Sequence, residues 1–69
     1  MTANAYKLTP REQVVLALVA EGRTDKRIGR DLGISADTAR KHVQNIRRKM
    51  GASCRTEASV RALRAGLLA

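Results

Sequence analysis

Apolar residues in this chain recur in four clusters, and each repeats with the spacing of a helix. Val15, Leu16, Leu18 and Val19 cover one broad helical face. Ile28 and Leu32 stand four apart. Ala39, Val43, Ile46 and Met50 follow at intervals of four, three and four, which draws a single stripe along a helix. Val60, Leu63 and Leu67 stand at i, i+3 and i+7, with Ala58 and Ala62 on another flank. No segment alternates apolar and polar residues, so no strand is predicted.

Start and stop residues bracket each cluster. Thr9-Pro10-Arg11-Glu12 reads as an N-cap threonine, a proline at the first helical position and a capping-box glutamate. It predicts a helix over 10–21, ended by Gly22. Thr24 caps a second helix over 25–32, with Asp25 at its positive end and Gly33 as its stop. Ser35 caps a third over 36–50, with Asp37 in its first turn and Gly51 after it. Thr56 precedes a fourth over 57–65, stopped by Gly66. Gly29 stands inside the second helix, where it costs about 1 kcal/mol against alanine. The fold class predicted is all-α, a four-helix bundle that contains a helix-turn-helix. Residues 1–7 read as a short N-terminal arm and a candidate for disorder, and 8–69 as the domain.

Composition narrows the chemistry. Sixty-nine residues are too few for a second core, and a deep substrate pocket would consume the only one. One Cys and one His cannot build a four-ligand zinc site, and no internal disulfide is available. No metal or other cofactor is implied. The chain lacks a nucleophile–base pair, a metal cluster and a phosphate-cradling glycine loop, so it does not read as an enzyme. It has no apolar run of about 18 residues and no hydrophobic leader, which predicts a cytoplasmic protein without a membrane partner. The formal net charge of +8 points instead to a polyanion or an acidic surface.

That charge concentrates on the third helix. Its apolar stripe leaves Arg40, Lys41, Gln44, Arg47 and Arg48 facing elsewhere, with Lys49 beside them and Asp37 as the one acid. A solvated surface helix usually mixes signs for i, i+4 pairing; this one does not. Arg and Lys pair with guanine edges and phosphates, and Gln pairs with adenine. The short Gly33-Ile34-Ser35 connection between helices two and three is the spacing of a helix-turn-helix, whose second helix enters the major groove. Ile34 is expected to tuck between the helices. The near absence of aromatics argues against a platform for single strands or RNA.

Particular residues now carry a resemblance. Leu8-Thr9-Pro10-Arg11-Glu12, Val15-Leu16, Gly22-Arg23-Thr24-Asp25-Lys26, Ile34-Ser35-Ala36-Asp37-Thr38, His42, Asn45-Ile46 and Lys49-Met50 resemble the LuxR-type (GerE-like) DNA-binding domain. Arg55, Ala58, Ala62 and Gly66-Leu67-Leu68 continue the match, which covers residues 8–68. The resemblance implies a transcriptional regulator that binds double-stranded DNA as a homodimer. It further implies helix three as the recognition helix and helix four as the dimer contact. Carried over by position, it places base contacts on Arg40, Lys41 and Gln44, and phosphate contacts on Lys26, Thr38, Arg47 and Lys49. Lys26 and Thr38 lie in first turns of helices, where free backbone N–H groups also favour phosphate. Val60, Leu63 and Leu67 form the stripe assigned to a partner helix.

Several positions depart from the family pattern. Val14 stands where glutamate is usual and is expected to be exposed. Arg27 and Gly29 replace the usual glutamate and alanine of the second helix, and Ala39 the usual valine of the third. Arg40 takes the place of a lysine, which favours bidentate recognition and a shifted site. Most members carry an upstream receiver or ligand-binding domain; a chain opening at Met1 reads as the single-domain form or as a domain cut from a longer regulator.

The remaining polar residues read as structural. Glu12 and Arg55 are expected to pair across helices one and four, His42 to pack partly buried, and Cys54 to be a small loop residue. The rival function is a protein-interaction module that docks an acidic partner of the transcription machinery. RNA polymerase or another regulator is the partner class in view, with only sequence-blind DNA binding.

Overall fold

A computed structural model describes residues 5–68 as four helices, α1 (Pro10–Ala20), α2 (Asp25–Leu32), α3 (Ala36–Met50) and α4 (Arg55–Arg64). No strand occurs among the described residues. Residues 1–4 of the expected arm lie outside them. Tyr6 packs partly buried against the core, and Lys7 takes a left-handed backbone with φ of 59°.

The helix starts follow local chemistry. Thr9 Oγ1 accepts from the Glu12 amide at 3.1 Å while Glu12 Oε1 accepts from the Thr9 amide at 2.9 Å, a complete capping box. Thr24 and Ser35 cap α2 and α3 with one bond each, their hydroxyls accepting from the Arg27 and Thr38 amides at 3.2 and 3.0 Å. Gly33 and Gly51 end α2 and α3 with φ of 71° and 64°, the left-handed conformation that frees the last carbonyls for capping.

The fourth helix corrects the sequence reading. It starts two residues earlier than expected, with Cys54 rather than Thr56 at the N-cap and no side-chain cap bond. Glu57, at the third helical position, supplies the missing cap instead: its Oε1 accepts from the Ser53 amide at 2.6 Å. That amide bond is the largest influence on the Glu57 carboxyl; it outweighs burial, which acts upward, and with the smaller effect of the Arg61 charge holds the group below its usual value.

α3 lies at the centre and packs on each of the other three helices, while α1 also meets α2 and α4. The core joins Val15, Leu16 and Val19 of α1, Ile28 of α2, the Ala39–Val43–Ile46–Met50 stripe of α3, and Ala58 and Ala62 of α4. Leu8 and Ala52 close it at either end, and Ile34 packs against it from the turn, as expected. Ala39, fully buried, lets α3 approach its neighbours closely. Val14 is exposed, again as expected.

Gly29 is buried where the α2–α3 turn folds back, and its carbonyl accepts from the Ile34 amide at 2.8 Å. A Cβ placed on Gly29 would come within 2.6 Å of the Ile34 carbonyl oxygen and 3.1 Å of the Ser35 carbonyl. The glycine that reads as a helix weakness is thus what lets the turn close on α2.

The ion pair expected between Glu12 and Arg55 does not form. Glu12 pairs with Lys49 of α3, Oε1 to Nζ at 2.6 Å, and Lys49 also donates to the Lys7 carbonyl at 3.3 Å. Arg55 turns to Asp25 of α2 at 2.5 Å and to the Arg23 carbonyl at 2.6 Å. α2 and α4 do not otherwise pack together among the described residues, so Arg55 is their bridge. Burial, the largest influence, pushes the Glu12 carboxyl up. Hydrogen bonds from Lys49 and Thr9 and the Lys49 charge outweigh it, leaving Glu12 below its usual value.

Candidate nucleic-acid interface

The buried stripe of α3 fixes what the helix shows outside. With Ala39, Val43, Ile46 and Met50 facing inward, Asp37, Lys41, Gln44 and Arg48 fall at i, i+4, i+7 and i+11 and form the centre of the outward strip. All four are exposed. Arg40 is exposed on one flank of that strip. Over a helix of fifteen residues the strip is about 22 Å long.

The three residues expected to meet bases therefore lie together, on or beside one strip. Among the described residues Lys41 and Gln44 make no side-chain hydrogen bond or ion pair, and Arg40 pairs with Asp37 one turn earlier. The residues expected to meet phosphate are placed less uniformly. Lys26 is exposed at the start of α2, with no carboxylate partner among the described residues. Thr38 is exposed, and its Oγ1 accepts from Ser35 Oγ at 2.9 Å. Arg47 is half-buried: Nη2 donates to the Ser53 carbonyl at 2.5 Å, and the buried Nε has no partner among the described residues. Lys49 is turned toward Glu12, its side chain 29% exposed.

Charge pairing sorts the cations. Each of the six carboxylates is engaged with a cation: Glu12 with Lys49, Glu21 with Arg23, Asp25 with Arg55, Asp31 with Arg23 and Arg27, Asp37 with Arg40, and Glu57 with Arg61. Of the eight cations without a carboxylate partner among the described residues, five lie on α2 and α3 (Lys26, Arg30, Lys41, Arg47 and Arg48), and Lys7, Arg11 and Arg64 lie elsewhere. Arg48 has no assigned contact in the sequence reading, although it shares the stripe of Lys41 and Gln44; the i+7 spacing from Lys41 is the signal that finds it. Arg30, one turn beyond Lys26 on α2, is likewise found by its i+4 spacing.

On α4, Val60 and Leu63 are 39% and 55% exposed, while Ala58 and Ala62 are buried. The alanine flank thus packs inward and the Val60–Leu63 flank is open. Leu67, assigned to that open flank, instead lies partly buried against the chain's own core. His42 is half-buried, and Cys54 is a free, exposed thiol.

Among the described residues, no helix is long and apolar enough to cross a membrane, and no group of three or more His, Cys, Asp or Glu is placed to hold a metal. Four helices, a tight turn stapled at Gly29 and a cationic strip on the helix after it define a helix-turn-helix domain. The family model for bacterial regulatory proteins of the luxR family matches residues 6–62, and the chain belongs to that family. It is one of DNA-binding transcription regulators, not of enzymes.

Relatives of two sizes share the domain. The chain is 41% identical over 61 residues to the spore germination protein GerE of Bacillus subtilis, covering 88% of this chain and 82% of GerE. It is 47% identical over 57 residues to the transcriptional regulatory protein LiaR of the same organism, covering 83% of this chain but only 27% of LiaR. The solved structure of the transcription factor GerE superposes with a TM-score of 0.83 at 37% identity, covering 90% of this chain and 92% of that one.

Proposed function

We propose that this chain is a sequence-specific reader of double-stranded DNA in transcription regulation, acting as a homodimer in the bacterial cytoplasm. α3 lies in the major groove, Arg40, Lys41 and Gln44 read base edges, and Lys26 and Thr38 bind phosphate. Arg47 and Lys49 border the phosphate track and hold the end of α3 in place through Ser53 and Glu12. The observation that carries this reading is the outward strip of α3. Among the described residues its amide and cations have no carboxylate partner beyond Asp37, although carboxylates neutralise Arg23, Arg27, Arg55 and Arg61 elsewhere on the surface. A strip built only for solubility would be paired within its own helix.

The open Val60–Leu63 flank of α4 supports a two-fold partner, with Leu67 contributing from its edge. Two-fold pairing predicts half-sites about one helical turn apart. The test is selection from a pool of random duplexes near physiological salt, followed by sequencing of the bound fraction. A two-fold enriched motif is expected. Retention without a motif, lost as salt rises, would overturn sequence reading and favour the rival in which an acidic protein is the partner.

A further inference from the structure

We infer that Asp37 is a specificity-determining residue of the DNA-reading helix, which orients the Arg40 guanidinium for its base contact and lowers affinity for DNA in general. The inference rests on the DNA-reading assignment of α3. Asp37 is the one acid on that helix, and it stands at the head of the outward strip, one turn before Lys41. Its side chain is 76% exposed, more than any other carboxylate in an ion pair here. Glu12 and Asp25 join different helices, and Glu57 caps its own. Asp37 instead reaches along the surface to Arg40 Nη2, at i, i+3.

Stability does not account for that contact, because an exposed pair on one helix turn adds little to a fold. Recognition does account for it. Arginine has many rotamers, and a guanidinium already held at one nitrogen loses less freedom when its fork meets a guanine edge. An anion on a surface that approaches phosphates also repels every duplex alike. That repulsion lowers affinity for all sequences without altering their ratio, so the discrimination itself comes from the held Arg40 guanidinium.

The experiment sequences the bound fraction from a random duplex pool and measures affinity for an unselected duplex. It compares the wild-type chain, Arg40→Ala, Asp37→Ala, Asp37→Asn and the Asp37→Ala/Arg40→Ala double variant, each checked for helix content. Arg40→Ala should lose about 5- to 150-fold discrimination at one motif position, the worth of a bidentate base contact. Asp37→Ala should lose about threefold or more at that same position while binding the unselected duplex up to about fivefold more tightly, as expected for one anion removed near the phosphates. Asp37→Asn should do the same. In the Arg40→Ala background, Asp37→Ala should change discrimination no further. Undiminished discrimination in Asp37→Ala, with Arg40→Ala still impaired, would overturn the inference and leave the DNA-reading assignment standing. A wild-type chain that enriches no motif would overturn both.

Discussion

Lys49→Met isolates the contact that ties α3 to the N-terminal segment. The substitution keeps an unbranched stem of similar length and removes the ammonium, which leaves the Glu12 carboxylate 7% exposed with the Thr9 amide as its donor. Breaking a fully buried pair costs about 3–5 kcal/mol, and an exposed one about 0–1 kcal/mol. With one buried partner and one at 29% exposure, this pair belongs between those limits, near 2 kcal/mol. In a domain of this size that loss lowers Tm by roughly 8–16 °C. Glu12→Gln keeps an oxygen for the Thr9 amide, so it should cost less, and the double variant should recover a coupling of about 1 kcal/mol. Folded Glu12 holds its proton less tightly than the unfolded chain does. The contribution is therefore complete above the ordinary glutamate value of about 4.3 and is lost as pH falls through the lowered folded value. Thermal melts of the four proteins, near neutral pH and under acid, measure both effects. Coupling below about 0.3 kcal/mol near neutral pH would refute the reasoning, as would a coupling that survives acid unchanged.

Other substitutions separate packing from recognition. Gly29→Ala should destabilise the domain by about 1–2 kcal/mol in urea titrations, despite alanine's helix propensity, because its Cβ meets the Ile34 carbonyl oxygen at 2.6 Å; a gain in stability would count against that contact. Arg55→Met should cost about 1–2 kcal/mol and increase amide exchange in α2 before α3, since Asp25 and the Arg23 carbonyl lose their shared donor. Arg47→Ala should weaken binding to all duplexes alike and also lower Tm, because the Ser53 carbonyl loses its donor. Leu63→Lys should leave Tm of dilute protein nearly unchanged while reducing binding to paired half-sites far more than to a single one, as read by gel shift.

Local chemistry carried much of this fold into view. Thr9, Thr24 and Ser35 each announce a helix because a short hydroxyl side chain can reach only the amides just ahead of it, and that geometry is written into a few residues. The start of α4 escaped the same reasoning because Thr56 has the chemistry of a cap but is the second residue of the helix, and Glu57 beside it does the capping from the other direction. The outward strip of α3 was legible from its complement, the four-three-four stripe. The partners of Glu12 and Arg55 were not, since both pairs join residues at least 30 positions apart and depend on how the helices cross. Leu67 falls off the Val60–Leu63 register for a related reason: Gly66, at φ of 76°, turns the chain after α4, so the helical spacing that joined it to Leu63 no longer applies.

The close contact at Gly29 also limits how parts of this domain can be exchanged. A recognition helix transplanted from a protein with alanine at this position would bring a turn that leaves room for a methyl group. Set beside Gly29, such a turn meets a missing methyl group, and this chain's turn set beside an alanine meets one too many. Position 29 and residues 34–35 therefore form a unit of inheritance. Chimeras that cut between them are expected to read DNA poorly even when every base-contacting side chain has been carried across, whereas chimeras that move α2, the turn and α3 as one block keep the helix at its proper angle to the rest of the bundle.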